Sequence, residues 1–195
     1  MALLIRPWEE GDCARVVALH RAVLGYSINA LLGQRHLAFV YRTTATLPGA
    51  FVRVAVDGGA VVGAVSATVD EGRAARALLQ RMTLAQCCCV AARLACSPAC
   101  WRAAWRARCA SQPVLVAGAP IDACLTSIIV DPRCQGRGIG RVLVGAVDDF
   151  MRQQAQARYR LDTRLANHSA RAFYTRLGFC EHARRGSDIL FVRNI

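Results

Sequence analysis

The sequence predicts an α/β domain in which a mixed sheet carries helices on both faces, with a basic helical insert added. Three observations carry that expectation. Apolar β-branched runs form hairpin pairs, one around Asp57-Gly58-Gly59 and one between Glu181 and Val192. Between them, a strand run ending in Ile128-Ile129-Val130 passes through a Gly-rich turn into a strongly periodic helix. Hydrophobic residues make up 54% of the chain and charged residues 19%, which excludes global disorder. The 195 residues suffice for a single domain, 1–195, with its own core.

Leu3 to Pro7 reads as the first strand. Asp12 can cap a helix over Cys13 to Leu24, whose apolar side is Val16, Val17, Leu19, His20 and Val23. Ser27 to Thr43 suggests a second helical region. Phe51–Val56 and Ala60–Val69 make an apolar hairpin. The insert follows, 73–110, between the third and fourth strands. Gly72 to Ile121 contains no acidic residue, while seven arginines fall between Arg73 and Arg108. Ala74 to Ala95 has neither Pro nor Gly and predicts one helix. After Pro98, Trp101 and Trp105 alternate with Arg102 and Arg106 at i, i+4 spacing. Such a pair suits a scaffold excursion packed on the sheet, a cover over a substrate pocket, a homodimer interface, or peripheral contact of 73–108 with an anionic membrane.

Ile139, Val142, Leu143, Ala146, Val147, Phe150 and Met151 then form one apolar helical stripe. Tyr159 to Leu165 alternates as a half-buried strand. Asn167 or Ser169 can cap the next helix and Gly178 can end it. Glu181–Arg185 and Ile189–Val192 complete the order β-α-α-β-β-insert-β-α-β-α-β-β.

The net charge is +12, all of it from arginine, since the chain has no lysine. Such a surface attracts anions. A CoA ester, with several phosphate charges, is a sufficient partner, and no nucleic-acid-binding module is found. The N-terminus lacks a basic region before its apolar run, and no segment reaches the roughly 20 apolar residues of a membrane span. The ten cysteines include no Cys-x-x-Cys pair. They read as reduced, small apolar residues of a cytoplasmic protein, with no metal site.

Chemistry concentrates at Asp131-Pro132-Arg133-Cys134-Gln135-Gly136-Arg137-Gly138-Ile139-Gly140-Arg141. A strand, a Gly-rich turn and a helix N-terminus together make an anion site, because backbone N–H groups converge where the helix dipole favours negative charge. The turn is not a Walker loop, which requires Gly-Lys-Ser/Thr, and it fails the Gly-x-Gly-x-x-Gly dinucleotide pattern. What remains is Gln135-x-x-Gly138-x-Gly140.

That pattern resembles the acyl-CoA loop of the GCN5-related N-acetyltransferase (GNAT) superfamily. Asn167, Ala170, Tyr174, Gly178 and Phe179 resemble its second signature, in the expected order. The resemblance implies a mostly antiparallel central sheet and direct attack of an amine on acetyl-CoA. It implies that the backbone of Gln135, Gly136, Arg137, Gly138, Ile139 and Gly140 holds the pyrophosphate, helped by the Arg137 and Arg141 side chains. It further implies that the strand Ile128-Ile129-Val130 pairs with the pantetheine arm through Ile128 and Val130. Tyr174 would act as general acid on the CoA thiolate, and Asn167 would contact the cofactor or a water. Many members carry a glutamate base on the strand before the loop. This strand offers only Asp122, Cys124, Thr126 and Ser127, so the amine would lose its proton through water, to a backbone carbonyl or to a residue elsewhere, with Asp122, His36 and His168 the candidate bases. The acceptor would be a small-molecule or peptide amine. The missing glutamate also suits a non-catalytic acyl-CoA-binding or partner-binding module on the same fold.

Overall fold

The chain enters through β1 (Leu4–Pro7), and one 3-10 turn (Glu10–Asp12) leads into α1 (Cys13–Leu24). The buried Asp12 carboxylate fixes this corner, accepting from Arg6 at 2.7 and 2.8 Å and from the Glu9 N–H at 2.9 Å. The computed structural model describes residues 3–110, 114–116 and 119–195. The second helical region is two helices, α2 (Ile28–Leu31) and α3 (Gln34–Thr46). Gly33 separates them at φ 102°, a backbone state that other residues rarely adopt. Strands β2 (Ala50–Asp57) and β3 (Ala60–Thr68) meet at a two-residue turn in which Gly58 and Gly59 both have positive φ. That is the turn whose twist matches a hairpin.

The insert holds three helices: α4 (Glu71–Arg81), α5 (Leu84–Cys96) and α6 (Pro98–Ala110). The expected single helix over 74–95 is interrupted at Met82–Thr83. Thr83 accepts from the Gln86 N–H, and the Gln86 side chain accepts from the Thr83 N–H, a reciprocal cap that starts a new helix. A short hairpin absent from the predicted order, β4 (Leu115–Val116) and β5 (Ala119–Pro120), follows the insert. The chain continues through β6 (Cys124–Val130), α7 (Ile139–Gln153), β7 (Arg158–Arg164), α8 (His168–Arg176), β8 (Cys180–Arg185) and β9 (Asp188–Asn194).

Seven strands form one sheet in the order β1-β2-β3-β6-β7-β9-β8. All neighbours are antiparallel except β6 and β7. On one face α7 buries Ile139, Leu143, Val147 and Met151 against β2, β3 and β6, with Val142 at the edge of the stripe 45% exposed. On the other, Val16, Val17 and Leu19 of α1 and Leu37 and Tyr41 of α3 cover Val52, Val54, Ala64 and Ile129. The predicted layers therefore hold. Buried Asp148 locks α7 to the sheet: it accepts from Tyr159 (2.7 Å) and from Arg193 (2.8 and 2.7 Å).

Among the described cysteines, Cys13, Cys100 and Cys124 are buried as small apolar residues. Cys87, Cys88, Cys89 and Cys96 are exposed because α5 buries no residue at all, and Cys180 is exposed at the start of the edge strand β8.

Candidate functional site

The site forms where β6 and β7 part. The two parallel strands pair at a single position, Cys124 with Arg160, and the Arg160 N–H donates to the Ala123 carbonyl at 3.0 Å. Beyond that point β6 stays with β3 and leaves β7. A bulge marks the departure: Ser66 pairs with Ser127 and Ala67 with Leu125, so Thr126 is the extra residue.

The parting leaves one backbone edge of β6 without a strand partner. Strand alternation decides which residues use it. The Asp131 N–H donates to the Val62 carbonyl at 2.8 Å, and a Cβ on Gly63 would meet the Ile129 carbonyl at 2.9 Å. Odd-numbered residues at this end of β6 therefore turn their backbone groups toward β3, and Ile128 and Val130 turn theirs toward the gap. Ile129, included in the predicted cofactor strand, faces away on both counts. Its backbone serves β3, and its side chain is buried beneath α1 and α3.

At the end of that edge lies the Gly-rich turn. Asp131 is buried and holds Arg15 (2.5 Å) and Arg133 (2.9 Å). Its carboxyl is held well below the usual carboxylate range, first by Arg133. Gly136 and Gly138 both sit at φ 79°, and Gly138 is the N-cap of α7 without a side-chain cap. The first-turn N–H groups of α7 thus lack intrahelical acceptors and face outward with the positive end of the helix dipole. A Cβ at Gly136 or Gly138 would meet nothing within 4 Å, so the space above the turn is open. Gly140 serves packing, since a Cβ there would approach Phe173 of α8 at 3.0 Å.

The predicted side-chain helpers divide. Arg137 is bound to Asp57 of the β2–β3 turn at 2.8 Å, so its side chain is not free to serve the turn. Arg141 is exposed in the first turn of α7 and Gln135 is exposed just before Gly136. The Asn167 side-chain oxygen caps α8 by accepting from the Ala170 N–H at 3.1 Å. Tyr174 is buried against Phe173, Phe179 and Phe191. Burial, with Tyr26 nearby, pushes its hydroxyl well above the ordinary phenol range.

On the α1–α3 face the gap opens into a cavity of about 360 Å³. Leu125, Thr126 and Ser127 form its floor, α1 and α3 one wall, and α4 and α6 of the insert another. Of the roles expected for the insert, covering this cavity is one its position fits. A wider cleft of about 730 Å³ adjoins it and shares Tyr26, Arg106 and Arg164, with Trp101 and Trp105 on its rim. Arg164 lies over the Tyr26 ring at 3.7 Å.

None of the three candidate bases is in the cavity wall. Asp122 is exposed just before β6, His168 is exposed at the start of α8, and His36 lies beside Phe39 on α3. What sequence reasoning missed is a polar chain reaching the floor. Ser27 and Tyr41 flank the His20 ring at 3.0 and 2.8 Å, Tyr41 meets Ser127 at 3.2 Å, and Ser127 meets Ser66 at 2.7 Å, which meets Thr126 at 2.7 Å. Burial pulls the His20 pKa down to about 4, so it is neutral, and pushes Tyr41 up to about 12. Asp162 of β7 and Glu71 at the start of α4 also line the cavity. Arg160 joins them, bound to Glu71 and, at 3.1 Å, to Asp162. Among the described residues no cluster of metal ligands occurs.

Comparison with known proteins bears on the fold. Residues 107–179 match the family model described as the acetyltransferase (GNAT) family, which spans the cavity floor, the turn, α7, β7 and α8. The solved structure of SsHAT is 26% identical, with a TM-score of 0.72, over 100% of this chain and 98% of that one. The PaiA N-acetyltransferase from Thermoplasma acidophilum, solved in complex with coenzyme A, is 12% identical with a TM-score of 0.65 over 100% of both chains. YncA, a putative acetyltransferase from Salmonella typhimurium solved with acetyl-CoA, is 17% identical with a TM-score of 0.61, over 100% of this chain and 94% of that one. No curated protein matches the sequence. The resemblance seen in the two signatures thus holds: the fold is that of the GNAT acetyltransferases across the whole chain.

Proposed function

We infer that this chain, which has the GNAT acetyltransferase fold and matches that family over 107–179, moves an acetyl group from acetyl-CoA to an amine. The observation that carries this reading is the parting of β6 from β7 beside an uncapped, Gly-opened helix N-terminus. An unpaired strand edge accepts an extended, amide-bearing chain, and the helix end accepts the anion that follows it. Coenzyme A has both parts in that order. PaiA and YncA, on the same fold, were solved with coenzyme A and acetyl-CoA.

In this reading the backbone N–H groups from Gly136 to Arg141 hold the pyrophosphate, and Ile128 and Val130 pair with the pantetheine arm. The thioester then lies near the Thr126 bulge, at the floor of the cavity. Tyr174 keeps its proton at neutral pH and offers it to the sulfur from the α8 side. Asn167 keeps a donor N–H to spare while it caps α8. The amine comes in through the cavity under α4 and α6.

Acetyl-CoA at about 100 times its Kd stabilises a fold by about 2.7 kcal/mol, which in a chain of this size raises Tm by about 5–10 °C. ATP and NAD are expected to leave Tm unchanged. A screen of amines, amino sugars and peptide N-termini for thiol release then tests transfer itself. Acetyl-CoA binding without thiol release from any amine would favour a non-catalytic acyl-CoA module.

The exposed apolar residues of the insert favour a second, additional property. Leu79, Leu84, Trp101 and Trp105 are 60–85% exposed, among arginines and without a carboxylate after Glu71. We propose peripheral contact of the insert with an anionic lipid surface. No single helix among the described residues is long and apolar enough to cross a membrane. Co-sedimentation with phosphatidylserine vesicles that is lost in Trp101→Ala/Trp105→Ala tests the contact, and indifference to the vesicles refutes it.

A further inference from the structure

We infer that Asp162 is the general base of the reaction, taking the proton from the acceptor amine before attack. The inference rests on the transferase reading above. It starts from the register. Parallel pairing at Cys124 and Arg160 sets the strands level, and two residues on, Asp162 stands across the opening gap from the Thr126 bulge. Both line the same cavity. The register therefore sets the Asp162 carboxylate level with the place where the thioester end of a strand-paired pantetheine arm must stop.

Its hydrogen bonding is incomplete in a way that points to a ligand. One carboxylate oxygen, Oδ2, accepts from Arg160 at 3.1 Å. The other, Oδ1, is buried and has no partner. A buried acceptor is normally satisfied, and an ammonium or amine N–H from the acceptor would satisfy this one. The competing groups in the wall are placed less well. Both ring nitrogens of His20 are engaged by Tyr41 and Ser27, Glu71 shares Arg160 with Asp162 from the start of α4 and not from the strand beside the gap, and Asp188 sits at the start of β9, opposite Arg164 and one strand further from the gap.

The surroundings tune the group for this work. Burial raises the Asp162 carboxyl to about 6, and Glu71 of α4 and Asp188 of β9 push the same way. Arg160 of its own strand and Arg185 of β8 pull it down, and Cys124 of β6 is also near. A base of that strength is ionised at neutral pH yet basic enough to take a proton.

The proton balance closes. The acceptor ammonium gives one N–H proton to Asp162, and the freed lone pair forms the C–N bond at the thioester carbonyl. Collapse breaks the C–S bond, with the electron pair leaving on sulfur. The second N–H proton goes to that sulfur by way of Tyr174, and the amide keeps the third. Asp162 returns its proton to solvent through the cavity.

The test compares wild type with Asp162→Asn, using acetyl-CoA and the amine that gives the fastest thiol release. The variant is expected to bind CoA as wild type does, lose about 10²–10⁴-fold in kcat/KM, and lose the acid limb of the pH profile near pH 6. Hydroxylamine, which is largely unprotonated at neutral pH, needs no base, so its acetylation should fall far less. Infrared or NMR titration of the Asp162 carboxyl in the CoA complex should give a midpoint near 6. Equal losses with both nucleophiles, an unchanged pH profile, or an ordinary carboxylate midpoint would overturn the assignment alone. A wild-type protein that binds CoA yet releases no thiol with any amine would overturn the transferase reading and this inference with it.

Discussion

Replacing Val130 by proline removes one backbone N–H from β6 and leaves the chain otherwise apolar. Alternation turns that N–H toward the gap and away from β3, so the sheet should tolerate its loss. Coenzyme A should not. One neutral hydrogen bond is worth about 0.5–1.5 kcal/mol net, or about 2- to 13-fold in Kd, and the pyrrolidine ring adds bulk where the pantetheine arm would pair. Ile129→Pro is the matched control, one residue away. Its N–H faces β3, and its side chain, 1% exposed, fills the core under α1 and α3. Losing both should cost about 3 kcal/mol or more, which lowers Tm by about 6 °C or more. Calorimetric titration with CoA and thermal denaturation separate the two: Val130→Pro weakens binding in a stable fold, and Ile129→Pro weakens the fold. Unchanged CoA affinity in Val130→Pro, or the reverse pattern between the two variants, would refute the assignment of the β6 edge.

Gly138→Val forces a β-branched residue into φ 79° at the N-cap of α7, at a cost of about 1–2 kcal/mol, and puts a side chain over the anion turn. CoA affinity is expected to fall beyond what the lower Tm explains, and equal affinity would count against the turn. Tyr174→Phe should lower kcat by about 10²–10⁴-fold with CoA affinity kept, and unchanged turnover removes Tyr174 from the chemistry. Asp148→Asn leaves Arg193 and Tyr159 without their shared carboxylate and should cost about 3 kcal/mol or more, read by urea denaturation. The raised Asp162 carboxyl holds its proton more tightly in the folded than in the unfolded chain. Its contribution to stability is therefore present at low pH and lost as pH rises from about 4 to about 6. The Tm difference between wild type and Asp162→Asn should move across that window.

The Gly-rich turn and its helix were legible because they are local. Gly136, Gly138 and Gly140 lie within five residues, and the stripe from Ile139 to Met151 announces the helix that orients them. Thr83-x-x-Gln86 also carried a readable signal, a capping box inside an otherwise unbroken helical run. The cavity beside the turn is assembled from distance. Arg160, which also holds Asp162, meets Glu71 across 89 residues of sequence, and Tyr41 meets Ser127 across 86. Asp162 stood in an alternating strand as one of its polar positions, but only register against β6 brings it to the gap. His20 sat on the apolar side of its helix, where a histidine satisfied by Tyr41 and Ser27 looks the same in sequence as a core residue. Arg137 shows the converse: adjacent to the glycines, it is drawn off by Asp57 from another turn.

The central claim is that the parting of β6 and β7, with the N-terminus of α7, binds coenzyme A. A crystal structure grown with saturating CoA tests it most directly. Pyrophosphate oxygens are expected on the backbone N–H groups between Gly136 and Arg141, pantetheine hydrogen-bonded to Ile128 and Val130, and the sulfur near Thr126 and Asp162. Coenzyme A bound elsewhere, or β6 and β7 closed against each other with none bound, would contradict it.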